Sequence, residues 1–398
     1  MNNKLLCSLV TSFVICLIAS TGCKKTNTAP SVPNAPSSSA PPSGADLSHA
    51  EGGTAPPTLA QVKYFKGSIG NSLDLQMKLI QSGDQLTGSY YYQKIGTKIE
   101  LKGTLDKEGN VVLQEFDTKG KQTGLFRGIW TTAPDDGLVS IAGNWSKPTI
   151  DNKADEKKTA FSIHEEPIAL SGDAEVTTKQ IKESNKKLVY EISAQYPQIT
   201  GGANGNFEKF NQTVRGTVLK NVAAFKKEVQ PGTGDEPRPE NSMGSDLNIS
   251  YKMGLAQDDL VSVSFAISSY YQGAAHPSAS SEVVNYDLKN GKVLKLSDVF
   301  KPSVKYLPVL SSYCIEDLKK QSKQKGSDGM LDDTSIKGGA APTANNYQSW
   351  TITRKGLGII FDPYQVGPYA AGAQFVTVPY STLKELINPD GPLGQFVR

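Results

Sequence analysis

Between Tyr64 and about Glu166 apolar and polar residues alternate with a period of two. Leu73, Leu75, Met77 and Leu79 stand against Asp74, Gln76 and Lys78, the pattern of a strand with one buried and one wet face. Runs of the same kind recur at 86–92, 98–105, 111–116, 124–130, 138–145 and 159–164. The joints between them, such as Ser82-Gly83-Asp84, Lys119-Gly120 and Asp135-Asp136-Gly137, offer residues that tolerate positive φ. Seven or eight strands joined this way predict an all-β antiparallel meander, and closing it into a small barrel removes the exposed edges. Gly67, Gly103, Gly128 and Gly143 fall within the strands at unequal intervals, which predicts bends or bulges in the wall.

The period changes after a polar, loosely patterned stretch at 168–183, where a domain boundary is expected. Strand-like runs at 188–196, 246–253, 260–271, 281–288, 349–353, 358–361 and 374–378 bracket two helical segments. The first, 206–229, aligns Phe207, Phe210, Val214, Val218, Val222 and Phe225 on one stripe. The second, entered near Pro302-Ser303, aligns Leu307, Leu310, Cys314 and Leu318. A short helix follows from Ser381 to Ile387. This order predicts an α+β domain with helices packed on an antiparallel sheet. The stretch 323–346 reads as a mobile polar insertion.

At the amino terminus, Lys4 precedes an apolar run from Leu5 to Ile18 and the exit Ser20-Thr21-Gly22-Cys23. The run is short for a membrane span, and its basic front and small-residue exit are those of a secretory signal. The exit resembles the bacterial lipobox, although Ser20 stands where that motif usually has Leu. The resemblance implies a signal peptide over 1–22 and a Cys23 that carries acyl chains of the palmitate type. Several chains on one residue hold a protein stably on a membrane. Residues 23–61 hold seven of the 23 prolines and read as a disordered linker. The folded parts are then expected at 62–167 and 174–398. The chain is placed in the cell envelope, facing the periplasm or the exterior. With Cys7 and Cys16 in the signal, Cys314 is left alone on a buried stripe, where a packed core thiol is expected.

A formal net charge of +3 with no basic cluster argues against nucleic acid as a partner. The three histidines, His49, His164 and His276, lie far apart, and no zinc, phosphate-loop or nucleophile-elbow motif is present. No cofactor or metal is called for. Two stretches stand out. Tyr270-Tyr271-Gln272-Gly273-Ala274-Ala275-His276-Pro277 leads a strand into small residues and a His-Pro, and 361–372 is a Pro/Gly-fixed turn with two tyrosines. Tyrosine gives large contact area with a polar tip, the makeup of a recognition surface. The competing expectation is that both loops cap the sheet, with the tyrosines on the core and His276 hydrogen-bonded inside.

These stretches, with Asn285-Tyr286-Asp287-Leu288, Leu296-Ser297-Asp298-Val299-Phe300 and Val378-Pro379-Tyr380-Ser381, resemble the extracytoplasmic domain of RsiV-type anti-sigma factors. The same domain stands ahead of the catalytic domain in PdaC-type peptidoglycan deacetylases. The resemblance runs from about Lys187 to Ile387. In the anti-sigma branch the domain binds lysozyme, so the resemblance implies a binding module for lysozyme or a peptidoglycan component. Neither a sigma-binding region nor a deacetylase domain accompanies it in this sequence, and no catalytic role is expected. Tyr271, His276, Tyr364, Tyr369 and Gly372 are the ligand-binding candidates that the shared motifs imply. Two alternatives stay open: a wall-glycan hydrolase with carboxylates assembled by the fold near Asp287 or Asp362, and a structural envelope role.

Overall fold

The computed structural model describes residues 60–134, 136–148, 157–230, 244–324 and 330–398. The expected signal, Cys23 and nearly all of the linker lie outside these residues. Within them no helix is long and apolar enough to cross a membrane.

Eight antiparallel strands come first: β1 (Gln61–Ile69), β2 (Leu73–Ser82), β3 (Gln85–Tyr92), β4 (Ile99–Leu105), β5 (Asn110–Phe116), β6 (Gln122–Thr132), β7 (Val139–Ser146) and β8 (Thr159–Glu166). Each pairs with the next, and β1 also pairs with β8, so the meander closes into a barrel. The apolar phase of each strand points inward. Tyr90, Phe126 and Phe161 meet edge to face, with ring centroids 5.5 and 5.1 Å apart, and fill the interior. The buried Glu115 is satisfied there by the Tyr90 hydroxyl at 2.6 Å and the Trp145 indole N–H at 3.0 Å. Gly128 and Gly143 are not bulges as their spacing predicts. They sit opposite each other in register, and a Cβ on Gly143 would lie 2.0 Å from the Arg127 carbonyl oxygen. The close approach of two strands requires glycine there.

The second half is built on a sheet in the order β10 (Glu175–Asn185), β11 (Tyr190–Thr200), β12 (Ser245–Gln257), β13 (Leu260–Tyr270), β14 (Ser278–Asp287) and β15 (Lys292–Val293), with β9 (Ile168–Ala169) also on β12. It is mostly antiparallel, but β11 and β12 run parallel. The helix α1 (Phe207–Glu228) lies between them in sequence and supplies the crossover that a parallel pair needs. Its predicted stripe is buried throughout, against the sheet. The expected loose boundary at 168–183 is instead largely strand, because β10 is an edge strand that lies beside the barrel as well as β11.

A second core surrounds α2 (Tyr306–Gln324), α3 (Asp333–Gly339) and a three-stranded sheet of β16 (Trp350–Ile352), β17 (Gly356–Phe361) and β18 (Gln374–Pro379), followed by α4 (Tyr380–Leu383). Of the expected mobile insertion at 323–346, residues 325–329 lie outside the described residues, and from 330 on the expectation is corrected. Asp332 caps α3 by accepting from the Thr334 and Ser335 N–H groups, and Ile336 and Tyr347 are buried. Cys314 is fully buried, and burial pushes its thiol up to about 12. A buried polar bridge joins the two sheets. Ser262 Oγ donates to Asn285 Oδ1 at 2.6 Å, Asn285 Nδ2 donates to the Trp350 carbonyl at 2.7 Å, and Ser262 Oγ accepts from Ile352 N at 2.9 Å.

Barrel and sheet belong to one compact unit. The Tyr64 hydroxyl donates to the Ala174 carbonyl at 3.1 Å, and Lys78 pairs with Glu175 at 2.7 Å. Thr178 Oγ1 hydrogen-bonds both Gln76 Oε1 and the Tyr251 hydroxyl. Lys66 Nζ lies 3.4 Å from the centroid of the Tyr251 ring, a desolvated cation–π contact.

Candidate functional site

The loop between β17 and β18 is held from below. Asp362 Oδ2 accepts from Ser281 N at 3.1 Å, which ties the loop to β14. Gln365 Nε2 donates to the carbonyls of Gly339 and Asn346, which ties it to α3 and the turn beyond. Between these anchors Tyr364 takes a positive φ of 72° with 66% of its surface exposed. A non-glycine residue in that region carries strain, which the anchors enforce. Gly372, at φ 68°, ends the loop and returns the chain to β18.

The loop between β13 and β14 meets it. The His276 ring stacks on Tyr369 at 4.2 Å between centroids, and Tyr364 and Tyr369 lie 5.5 Å apart. The Pro277 carbonyl accepts from the Tyr369 hydroxyl at 2.6 Å and lies 2.8 Å from His276 Nδ1. A carbonyl only accepts, so Nδ1 carries the proton in the neutral ring and Nε2 accepts from the Tyr364 hydroxyl at 3.3 Å. Three of the five sequence candidates therefore form one aromatic cluster at the surface, His276 and Tyr364 exposed and Tyr369 half-buried, and Gly372 closes its loop. Tyr271 goes elsewhere. Its ring packs on Phe225 at 5.4 Å at the edge of the α1 core, and desolvation raises its hydroxyl pKa.

A groove leads away from the cluster. A cavity of about 340 Å³ begins at Asp362 and Pro363, next to Tyr364, and crosses the outer face of β12 to β14. It shares Lys252, Ser264, Ile360 and Phe375 with a cavity of about 570 Å³ that reaches the barrel at Lys66 and Glu166. Phe375, 63% exposed, projects between the two. It stands on the polar phase of β18, where Val376 and Val378 are buried, and an apolar residue out of phase was the signal that sequence reasoning missed.

The carboxylates near Asp287 are occupied locally. Asp287 accepts from the Asn290 backbone and side chain at 2.8 and 2.7 Å, and Asp298 accepts from Lys295 N at 2.9 Å. Among the described residues no group of three or more His, Cys, Asp or Glu side chains could hold a metal ion.

Residues 183–279 match the family model described as deacetylase PdaC, and residues 297–381 match the one described as a protein of unknown function, DUF3298. The first match covers the end of β10 and then β11 to β13, and the second covers α2 to β18 with the Tyr364 loop, so the aromatic cluster draws one member from the first and two from the second. A curated relative, the peptidoglycan-N-acetylmuramic acid deacetylase PdaC of Bacillus subtilis, is 29% identical over 181 residues, which are 46% of this chain and 37% of the relative. The chain thus matches little more than a third of that relative's length. Among solved structures, a DUF3298 family member from Bacteroides fragilis is 18% identical with a TM-score of 0.43, covering 57% of this chain and 98% of that one. A DUF3298 family protein from Pseudomonas aeruginosa is 15% identical with a TM-score of 0.41, covering 54% and 95%.

These matches include a relative named as a deacetylase of peptidoglycan N-acetylmuramic acid. They also overturn the expectation of no catalytic role, because the relative and the matching family are both named as deacetylases. That expectation rested on missing sequence motifs, and a missing motif says nothing about groups that only the fold assembles.

Proposed function

We propose that this chain is a lipid-anchored envelope protein that engages peptidoglycan through the His276–Tyr364–Tyr369 cluster and the groove beside it. The observation that carries the reading is the cluster itself: three aromatic rings in mutual contact at the surface, with Tyr364 exposed on a strained backbone position. Exposed ring faces stack against the C–H faces of sugar rings, and the tyrosine hydroxyls meet sugar hydroxyls. Phe375 extends the apolar surface along the groove. The lipobox-like Cys23 supports an anchor that keeps this surface near the wall.

The test is co-sedimentation of the purified chain with insoluble peptidoglycan, with capture on immobilised lysozyme as a parallel arm. Retention on peptidoglycan is expected. Capture by lysozyme alone would replace the wall by a wall-acting protein as the partner. Acetate release, measured in the same peptidoglycan samples, reads the amide chemistry named in the relative.

A further inference from the structure

The lining of the 570 Å³ cavity, where the groove meets the barrel, is uneven in charge. Each of its carboxylates has a cation: Glu165 pairs with Lys63 at 3.0 Å, Glu166 with Lys66 at 3.4 Å, and Asp136 with Lys355 at 3.3 Å. Lys252 and Arg354 also line it, and neither meets a carboxylate among the described residues. The wall between them is apolar, formed by Leu138, Ile360 and the exposed ring of Phe375. At the inner end, Glu166 Oε2 is buried with no hydrogen-bond partner, so that end is short of a donor.

We propose that this cavity is a second ligand site, for a carboxylate-bearing peptide with small apolar side groups, of the kind that the stem peptides of peptidoglycan supply. Lys252 and Arg354 neutralise the carboxylates, the alanine methyl groups lie on Leu138, Ile360 and Phe375, and peptide N–H groups serve the acceptor at the inner end. The volume falls within the range of small-ligand sites. Burial supports the electrostatic part. Desolvation lowers the Lys66 pKa and raises that of Glu166, so this pair adds little field of its own and the two uncompensated cations dominate. The identity of the ligand rests on the peptidoglycan reading, whereas the site and its charge preference do not. The two ends of the groove then divide the wall between them, sugar at the aromatic cluster and peptide at the barrel.

The experiment is fluorescence anisotropy with a labelled N-acetyl-L-Ala-γ-D-Glu-L-Lys-D-Ala-D-Ala peptide, its fully amidated form, chitotriose as a sugar without carboxylate, and laurate as a non-peptide carboxylate. The carboxylate peptide is expected to bind about tenfold or more tighter than the amidated one, and Lys252→Ala with Arg354→Ala to remove that margin. Thr377→Trp, at an exposed position of the lining, is expected to block both peptides while leaving the circular dichroism unchanged. Tyr364→Ala with Tyr369→Ala should leave peptide binding intact. Equal affinity for the amidated peptide, indifference to the Lys252 and Arg354 changes in a folded protein, or displacement of the peptide by chitotriose would overturn the site. Laurate binding more tightly than the peptide would overturn the peptide assignment. A chain that sediments with peptidoglycan but ignores the peptide refutes this inference alone. One that binds the peptide but does not sediment refutes the proposed function and leaves the site.

Discussion

Tyr364 combines a left-handed backbone with an exposed ring, and neither serves the core. Replacing it by glycine is expected to stabilise the fold by about 1 kcal/mol, because the strain goes and little buried surface is lost. Thermal unfolding would show the gain, and retention on peptidoglycan should fall in the same variant. A loss of stability would mean that the ring packs against something structural. The Lys66–Glu166 pair makes a contrasting case. Desolvation works against both charges, so removing one partner costs more than removing both. Lys66→Met should destabilise by roughly 2–3 kcal/mol, and Lys66→Met with Glu166→Leu should recover most of that loss in urea unfolding. The residue candidates were legible to different degrees. His276, Tyr364 and Tyr369 stand in Gly- and Pro-bounded loops that announce a surface. Tyr271, one residue past a strand, gave the same local signal and was claimed by the α1 core. Lys252 and Arg354 gave none, because an uncompensated charge is defined by which carboxylates the fold brings near.

At the scale of elements, strands and helices with a clean period were readable. The α1 stripe from Phe207 to Phe225 and the alternation through β2 translate directly into burial. The misses share a cause. Residues of β10 read as loop because its neighbours include the barrel's outer face, so polar side chains such as Glu175 and Thr178 are the ones used in contact. The helix α3 is only seven residues long and too short to show a period; its Asp332 cap and the single buried Ile336 define it. Glu175 makes the barrel contact testable. Desolvation pushes its carboxyl up, but the hydrogen bond and charge of Lys78, with Lys98 beyond, outweigh that and hold it below its ordinary value. A carboxyl held down in the folded state contributes stability above the unfolded value near 4.3, and that contribution is lost as pH falls through the folded value. The unfolding free energy of the wild-type chain should therefore exceed that of Glu175→Gln at pH 6, by a margin on the order of 1 kcal/mol, and the two should converge as pH falls below the folded value. A gap that stays constant with pH would assign the effect to packing.

For the whole molecule, the closed barrel removes its own edges and offers its outer face to β10 and Tyr251, and the groove opens where the two bodies meet. The groove then runs to a loop that the β13–β14 turn and the second core build together. No single domain contains the site. That explains why sequence reasoning reached the two bodies and the aromatic loops but not the surface connecting them. The central claim is that this connected surface grips peptidoglycan by its aromatic end. It is tested most directly by co-sedimentation of the wild-type chain and of Tyr364→Ala with Tyr369→Ala against purified peptidoglycan, with circular dichroism to show that both are folded. The account predicts retention of the wild type and a loss of about tenfold or more in the variant, as expected when an aromatic hot spot is removed. Equal retention of the two, or none of the wild type, would contradict it.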